Sequence, residues 1–187
     1  MSEDDRVRWN EKYQLGEHTS SEPSSLLTAL LPLLPNSGRA LDVAGGTGRN
    51  AIWLAGLGLD VCLADVSDVA LHAAEARARE AGVSIDTQRI DFETEPFPLG
   101  PWDLIVIVHF LLRPLFETFP TALAPGGTLV CIHPTTTNLQ RHAKPPQRFL
   151  LEDGELPGLV NGLEIVHYEE SWLAEGRHEA VLVATKK

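Results

Sequence analysis

The stretch from residue 39 to residue 50, RALDVAGGTGRN, constrains the fold of this chain more than any other. A short apolar run ends near Asp42, three glycines follow at positions 45, 46 and 48, and a helical pattern begins at Asn50. Glycines let the backbone turn sharply and approach a ligand, and the start of a helix offers free N–H groups. The stretch therefore predicts a strand, a glycine-rich turn and a helix around a nucleotide-like ligand.

The rest of the chain repeats this alternation. Short apolar runs (RALDVA, LDVCLAD, WDLIVIVHF and GGTLVCIHP) alternate with helical stretches, which is typical of βαβ units around a parallel sheet. Near the C-terminus, LEIVHYEE and HEAVLVATKK are joined by a short loop, and such a connection can only make an antiparallel hairpin. The predicted fold class is α/β.

A single domain is expected over residues 1–187, because 187 residues are close to the usual size of one domain. Residues 1–35 are predicted to form an N-terminal helical cap, with helices over 6–13 and from Ser24 or Ser25 through 26–34. Residues 36–187 form the core. Within it, residues 134–151 lack a clear period and are predicted to be a lid loop on the substrate side.

Charge and hydropathy exclude several classes of partner. The chain has 26 acidic against 15 basic residues, a net charge of -11 that disfavours nucleic acid. It has no apolar run of about 18 residues, so no membrane span is expected. It begins with the charged MSEDDRVRWN, so we expect a cytoplasmic protein. The expected oligomeric state is a monomer or a homodimer. Its two cysteines lie in apolar runs, so no metal site is predicted.

Two cofactors fit the glycine turn. The spacing Gly46-x-Gly48-x-x-Ala51 satisfies the loose pattern of dinucleotide-binding proteins. Alternatively, Asp42 stands three residues before Gly45, and LDVAGGTG resembles motif I of class I S-adenosylmethionine-dependent methyltransferases, usually written D-x-G-x-G-x-G. Ala44 departs from that motif, because the family normally has its first glycine there. We expect a slightly altered turn that still binds the cofactor.

The resemblance to this family covers most of the chain from residue 39. Asp65, at the end of the second apolar run, stands where the family binds the ribose hydroxyls. Asp91-Phe92 is predicted to end the third strand, SIDTQRID, and stands where the family binds adenine. Ser67 is expected to cap the next helix, which leaves the carboxylate of Asp65 available for the ribose. The turn 123–127, LAPGG, resembles the family's L-x-P-G-G, and the terminal hairpin resembles its sixth and seventh strands. The resemblance implies a Rossmann-like, seven-stranded, mostly parallel sheet with helices on both faces.

A narrower resemblance is to the small bacterial methyltransferases related to tellurite-resistance and thiopurine methyltransferases. It rests on 9–13, WNEKY, on Gly48-Arg49-Asn50 and on 149–155, FLLEDGE. The tellurite-type relatives also carry a His-Arg pair near the last strand, and here the order is reversed as Arg177-His178. Those enzymes act on soft nucleophiles or drug-like molecules. The expected acceptor is therefore a small molecule, such as a soft sulfur, selenium or tellurium nucleophile or a small anion.

These comparisons define three groups of candidate residues. The residues expected to bind S-adenosylmethionine, and its product S-adenosylhomocysteine, are Trp9, Asp42, Ala44, Gly45, Gly46, Gly48, Asn50, Asp65, Val66, Ser67, Asp91, Phe92 and His109. The catalytic candidates are His109, His133, Arg177 and His178, which lie at strand ends where a parallel sheet opens into a ligand crevice. The acceptor-side candidates are Tyr13, Phe110, Arg141 and Arg148.

Trp9 and Tyr13, four residues apart, are expected either to staple the N-terminal helix or to lie across the cofactor mouth, where aromatic faces attract a sulfonium. No acidic residue occurs between Glu117 and Glu152, and Arg141, Lys144 and Arg148 make this segment basic. A basic lid on an acidic protein indicates a small neutral or anionic acceptor.

The expected reaction is methyl transfer by in-line displacement, for which alignment and exclusion of water contribute most. A soft anion would be held by Arg141, Arg148, Arg177 or His178. A hydroxyl or amine would need a proton acceptor, for which the candidates are His109, His133 and His178. Two alternatives from other classes remain at this point: an NAD(P)-dependent oxidoreductase and a non-catalytic nucleotide-binding module.

Overall fold

The computed structural model describes residues 3–187, and seven strands in it form one sheet. The strands are β1 (Arg39–Val43), β2 (Asp60–Asp65), β3 (Asp86–Arg89), β4 (Trp102–Val108), β5 (Leu123–Pro134), β6 (Glu164–Trp172) and β7 (His178–Thr185). Their order across the sheet is β3-β2-β1-β4-β5-β7-β6, in which β7 alone runs antiparallel to its neighbours on both sides. The predicted fold is confirmed, including the antiparallel C-terminal hairpin.

Helices connect the strands. The α-helices are α1 (Glu3–Gln14), α2 (Ser25–Ala29), α3 (Arg49–Gly56), α4 (Asp68–Glu80), α5 (Phe119–Ala122) and α6 (Leu156–Leu159). Short 3-10 helices cover Leu31–Leu33, Arg113–Thr118, Thr136–Gln140 and Gln147–Phe149. Among residues 3–187, no helix has the length and apolar character that crossing a membrane requires.

Both faces of the central strands are buried. In β4, Ile105 and Ile107 pack into one apolar layer with Phe116, whereas Leu104 and Val106 pack into the other. Successive side chains of a strand point to opposite faces, so a continuous apolar run is the pattern of a strand covered on both sides. This arrangement confirms the expectation of helices on both faces and leaves the ends of the strands as the place for a site.

Local predictions differ from the structure at several boundaries. The second helix is shorter than predicted, because α2 ends at Ala29 and the chain continues through Pro32 as a 3-10 turn. Proline lacks the N–H that an α-helix interior requires. The third strand is also shorter, so Asp91 lies two residues beyond β3 and does not end it. The LAPGG segment, predicted as a turn, is the irregular first part of β5.

The hairpin brings the start of β7 to the functional edge of the sheet. Because β7 is antiparallel to β5, its first residues lie beside the last residues of β5, with Glu179 opposite Pro134 and Ala180 opposite His133. The backbone N–H of His109, just after β4, donates to the carbonyl of Ile132 in β5. The ends of β4 and β5 and the beginning of β7 therefore meet at one place.

Residues 134–151 are more ordered than the predicted loop. Besides the two 3-10 helices, Thr135 and Leu151 form an isolated parallel bridge. Asn138 donates its side-chain amide to the carbonyl of His178, and the ring of His142 hydrogen-bonds the carbonyl of Gly176 at 2.8 Å. The segment therefore packs against the start of β7.

Candidate cofactor and acceptor site

Asp42 lies beneath the glycine turn with an incomplete set of hydrogen bonds. Its side chain is 1% exposed, and Oδ2 accepts a hydrogen bond from the N–H of Ala51 at 3.1 Å. Oδ1 is buried without a partner in the part of the chain that the structure describes. Burial raises the pKa of Asp42 to about 7, and the N–H of Ala51 only partly opposes this rise. A buried acceptor without a donor fits a cationic group of a ligand, such as the ammonium group of S-adenosylmethionine.

Asp65, at the end of β2, braces the same turn. Oδ2 accepts from the N–H of Gly46 and Oδ1 accepts from the N–H of Ser67, both at 2.9 Å. Burial raises the pKa of Asp65, and these two N–H donors oppose the rise. The predicted ribose acceptor is therefore occupied by backbone donors, although each carboxylate oxygen has a second lone pair for a ribose hydroxyl. The prediction that Ser67 caps α4 is confirmed, because its Oγ accepts from the N–H of Ala70 at 3.0 Å.

The glycines of the turn are required by contacts inside the protein. A Cβ on Gly45 would lie 2.4 Å from Oδ2 of Asp42, and one on Gly48 would lie 2.9 Å from the Cβ of Ala74 in α4. Ala44, the departure from the family motif, has a φ of 52°. This left-handed conformation is strained for alanine and easy for glycine, which explains why the family pattern has glycine at this position. The turn keeps its shape at a local energetic cost.

The N-terminal helix α1 covers the glycine turn. The hydroxyl of Tyr13 would lie 2.5 Å from a Cβ on Gly46, so the phenol rests directly on the turn. Burial and the nearby charge of Asp65 raise the pKa of Tyr13. Trp9 stacks with Tyr13 at 5.8 Å between ring centroids. Of the two positions expected for this aromatic pair, the structure favours the one at the cofactor turn, with Tyr13 nearer the glycines.

Polar contacts attach α1 to the start of α4. Oγ of Ser67 donates to the side-chain carbonyl of Asn10 at 2.6 Å, and Nδ2 of Asn10 donates to Asp68 at 3.0 Å. Arg6 forms an ion pair with Asp68 at 3.2 Å. The cap is therefore fixed to the same loop, after β2, that carries two of the expected cofactor residues.

The residues expected around adenine lie together after β3 and β4. Phe92 is 6% exposed, and its ring lies 5.9 Å from that of Phe110. Oδ1 of Asp91 accepts from the N–H of Glu93 at 3.0 Å. Val66 is 4% exposed at the end of β2. The expectation of an acceptor-side role for Phe110 is not matched by its position, because its ring packs on the predicted adenine side.

A cavity of about 250 Å³ opens beside the glycine turn. It is lined by Ser20, Glu22, Pro23, Ser24, Ser25, Leu26, Arg49, His109 and Arg177. Arg49 is the first residue of α3, directly after Gly48, and burial lowers the pKa of its half-buried guanidinium. The guanidinium of Arg49 makes no hydrogen bond or ion pair within residues 3–187, although the charges of Asp42 and Glu179 act on it. Two arginines on a small cavity suit an anionic molecule.

Glu179 lies behind the cavity wall and contacts His109 and Arg177, which line the cavity. Its side chain is fully buried, and both carboxylate oxygens hydrogen-bond Nε2 of His109, at 3.0 and 2.9 Å. Nε of Arg177 lies 3.1 Å from Oε1 of the same carboxylate. Burial tends to raise the pKa of Glu179, but the hydrogen bond from His109 and the charges around it hold this pKa below its ordinary value. Glu179 is therefore an ionised, buried acceptor.

The other two histidine candidates face away from this cavity. Nε2 of His133 bonds the carbonyl of Phe149 at 2.8 Å, so this nitrogen carries the proton, and its Nδ1 is buried without a partner among the described residues. Burial lowers the pKa of His133 to about 4, which makes it a neutral ring. Nδ1 of His178 bonds Oγ1 of Thr135 at 2.8 Å. Both rings therefore join the segment 134–151 to the sheet.

Arg141 and Arg148 do not reach the cavity. The guanidinium of Arg141 lies 3.7 Å from the ring centre of Trp172 in β6, and that of Arg148 lies 4.7 Å from the ring of Phe149. No residue of 134–151 lines the cavity, whose outer wall is the connection from Ser20 to Leu26. The segment therefore does not line this cavity, and its predicted role as a lid over the acceptor stays a prediction.

Sequence reasoning missed several residues of the site. Glu179 gave a usable signal, a lone carboxylate at the start of the otherwise apolar run HEAVLVAT. Arg77 gave none. It reaches from α4 to donate to the carbonyl and hydroxyl of Thr47 and to the carbonyl of Ser20, which ties the cavity wall to the glycine turn. Asn50, an expected cofactor residue, is 3% exposed, and its Oδ1 accepts from the N–H of Ser24.

Comparison with known proteins shows what this chain is similar to. Residues 40–127 match a family described as a methyltransferase domain, and this region runs from β1 to the beginning of β5. The ubiquinone/menaquinone biosynthesis C-methyltransferase UbiE of Methylobacterium nodulans is 35% identical over an alignment 125 positions long, which covers 58% of this chain and 47% of that protein. The chain thus spans about half the length of this relative.

Solved structures show the same fold. TehB from Haemophilus influenzae superposes with a TM-score of 0.73 at 20% identity, covering 95% of this chain and 67% of that one. An S-adenosylmethionine-dependent methyltransferase from Aquifex aeolicus superposes with a TM-score of 0.72 at 16% identity, covering 96% and 98%. Residues 40–127 are therefore similar to a methyltransferase domain, and the chain has the fold of these solved structures.

Proposed function

We propose that this protein transfers the methyl group of S-adenosylmethionine to a small anionic molecule bound in the cavity beside the glycine turn. The observation that carries the proposal is the cavity itself, which begins at Arg49, one residue after the turn, and presents Arg177 and His109 on its other side. A methyl acceptor has to bind next to the donor, and this cavity adjoins the turn on which the donor is expected to lie.

The donor side of the proposal rests on the buried acids and the cap. The Oδ1 atom of Asp42 lacks a donor, and an ammonium group would supply one. Asp65 has lone pairs left for the ribose, and Phe92 lies at the predicted adenine position. Tyr13 covers the turn from the solvent side. These residues fit S-adenosylmethionine, whose sulfonium supplies an electrophilic methyl group.

The acceptor side rests on charge. Arg49 and Arg177 both line the cavity, and the guanidinium of Arg49 makes no hydrogen bond within the described part of the chain. A carboxylate or similar anion would occupy this guanidinium and relieve the repulsion between the two arginines. The positive charge that selects the acceptor thus comes from α3 and from the loop before β7, and the basic segment 134–151 lies elsewhere.

In this mechanism the protein contributes binding and alignment. Asp42, Asp65 and Tyr13 would fix the donor, and the two arginines would orient the acceptor. The wall from Ser20 to Leu26, tied down by Arg77 and Asn50, would keep water out of the cavity. These contributions are positional or electrostatic.

The first experiment measures ligand binding by thermal unfolding and calorimetry with S-adenosylmethionine, S-adenosylhomocysteine, NAD⁺ and NADP⁺. A ligand at 100 times its dissociation constant stabilises the folded state by about 2.7 kcal/mol, which corresponds to roughly 5–11 °C for a chain of this size. We expect stabilisation by the two sulfur compounds. Stabilisation by a nicotinamide dinucleotide alone would contradict the proposal.

The second experiment measures S-adenosylhomocysteine formation with a panel of small carboxylates bearing hydroxyl, amine or thiol groups. We expect Arg177→Gln to raise the KM for the accepted anion roughly tenfold, because a charged hydrogen bond contributes about 1.5 kcal/mol or more. Arg79→Gln, an exposed arginine on α4, is the matched control. If Arg148→Gln raised KM and Arg177→Gln did not, the acceptor would lie under the segment 134–151 instead.

A further inference from the structure

His109 and Glu179 form a hydrogen-bonded pair at the cavity, which the histidine lines. Glu179 is fully buried at the start of β7, and its two carboxylate oxygens lie 2.9 and 3.0 Å from Nε2 of His109. The histidine side chain is 30% exposed and lines the cavity. One nitrogen of the ring is thus held by the protein, while the ring itself meets the space where the acceptor binds.

The chemistry of the carboxylate decides which nitrogen carries the proton. An ionised carboxylate only accepts hydrogen bonds, so Nε2 of His109 must be the donor. In a neutral imidazole the other nitrogen, Nδ1, then has a lone pair and no proton. Glu179 therefore fixes His109 in the tautomer that can accept a proton through Nδ1.

The backbone at His109 is shaped for this contact. His109 has a φ of 61°, a left-handed conformation that is strained for a residue with a side chain. Its N–H donates to the carbonyl of Ile132 at 2.9 Å, which holds the chain at the carboxyl edge of the sheet. Such strain persists only where the surrounding structure maintains it.

We propose that His109 is the general base of methyl transfer and that Glu179 is its positioning residue, so the acceptor enters the cavity with a proton on oxygen or nitrogen. This inference rests on the proposed function and narrows its substrate class. A soft anion that is already ionised would need the two arginines but no general base. An acceptor that reacts through a hydroxyl or amine would need the arginines and also a base to take its proton.

In the proposed methyl transfer, one bond breaks at the acceptor and one bond breaks at the methyl donor. The acceptor O–H or N–H bond breaks, and its proton moves to Nδ1 of His109. The acceptor atom forms a bond to the methyl carbon, and the sulfur–methyl bond breaks with its electron pair remaining on sulfur. The sulfonium charge is lost, and the positive charge of the new imidazolium lies against the carboxylate of Glu179. The imidazolium of His109 then gives its Nδ1 proton to water.

Other charged groups around the pair act in opposite directions. Arg177 contacts Glu179 at 3.1 Å and Arg49 lies across the cavity, so two cations oppose the imidazolium. His133, on β5, is kept neutral by burial and adds no charge near neutral pH. Glu179 is the anion in direct contact with the ring, which makes it the group whose loss should matter most.

The test reads the tautomer of His109 in the ligand-free protein, by long-range ¹H–¹⁵N correlation spectra of ¹⁵N-histidine-labelled samples, with His109→Gln for assignment. We expect the neutral ring of the wild type to be protonated on Nε2. In Glu179→Gln, the single amide oxygen faces Arg177 and the amide NH₂ faces the ring, so we expect the Nδ1-protonated tautomer to appear.

Glu169→Gln is the control for the loss of one negative charge, because Glu169 is an exposed residue of β6. The histidine spectrum of this variant should match that of the wild type. A wild-type ring protonated on Nδ1, or a Glu179→Gln ring with the wild-type tautomer, overturns the proposal. Thermal unfolding of each variant establishes that it is folded, and Glu179→Asp, which keeps the charge, should keep the wild-type tautomer.

Turnover provides a second readout with two matched probes, 2-hydroxybenzoate and 2-mercaptobenzoate. We expect Glu179→Gln to lower kcat for the hydroxyl probe by about 100-fold, the lower end of general-base effects, and to affect the thiol probe much less. Equal effects on both probes would overturn the role in proton transfer. Glu179→Gln should bind S-adenosylhomocysteine with the affinity of the wild type. If the wild type itself did not bind S-adenosylhomocysteine, that result would contradict the proposed function and leave the tautomer result standing, because the tautomer is measured without ligand.

Discussion

Replacing Asp42 by asparagine should stabilise the ligand-free protein at alkaline pH and weaken cofactor binding. Burial raises the pKa of Asp42 from its ordinary 3.8 to about 7. The folded protein therefore holds a proton that the unfolded chain releases above about pH 4, so stability falls as the pH rises from about 4 to 7. Since one pKa unit corresponds to 1.36 kcal/mol, this single group destabilises the folded state by roughly 4 kcal/mol at pH 8.

The assay is urea-induced unfolding of the wild type and Asp42→Asn at pH 5 and pH 8. Asparagine cannot ionise, so the variant should gain roughly 2–4 kcal/mol on the wild type at pH 8, or about 5–15 °C in Tm, and much less at pH 5. Asp60→Asn, on an exposed residue of the adjacent strand, is the control and should show no such pH-dependent gain. A stability difference that is equal at the two pH values would refute the reasoning.

The same variant should bind S-adenosylhomocysteine roughly 10- to 100-fold more weakly, because it loses a charged acceptor worth about 1.5–3 kcal/mol. Increased stability together with reduced affinity is the distinguishing result. A variant that gains stability and keeps full affinity would mean that the orphaned Oδ1 of Asp42 does not receive the ligand.

Three further substitutions test the packing around the site. Ala44→Gly should raise the free energy of unfolding by up to about 1 kcal/mol, since the relief of the left-handed strain exceeds the entropy cost of glycine; a loss in urea unfolding would contradict this. Ser67→Ala removes the hydrogen bond from the N–H of Ala70 and should cost about 1–2 kcal/mol by the same measurement, whereas no cost would mean that the cap is dispensable. Arg113→Gln breaks the paired hydrogen bonds to Glu155 and should speed amide hydrogen exchange around it, with only about 1 kcal/mol lost overall because the pair is partly exposed; unchanged exchange would argue against this clamp.

Features that depend on neighbours in the sequence were predictable. The strand, turn and helix around Asp42, and the cap formed by Ser67, involve residues within about ten positions of each other, so local patterning determines them. The alternation of apolar runs with helices also indicated the sheet, because buried parallel strands need covering on both faces.

Features that depend on strand order were not predictable. His109 and Glu179 are 70 residues apart and meet only because β7 inserts between β5 and β6. Arg141 was expected at the acceptor because acidic residues are absent around it in the sequence, but in space it stacks on Trp172. Charge patterning along a chain describes a segment, and the position of that segment is set by tertiary packing.

Because β7 lies between β5 and β6, the two halves of the sheet carry different parts of the candidate site. β1, β2 and the turns after them carry most of the residues assigned to the donor. The hairpin and the end of β4 carry Arg177, Glu179 and His109, which are assigned to the acceptor together with Arg49 of α3. The loop from Leu173 to Arg177 belongs to the second half and makes no contact with the glycine turn through its own backbone bonds. Substitutions in this loop are therefore expected to change which acceptor the protein binds without changing its affinity for the donor. The hairpin is the place where we expect acceptor selectivity to be engineered.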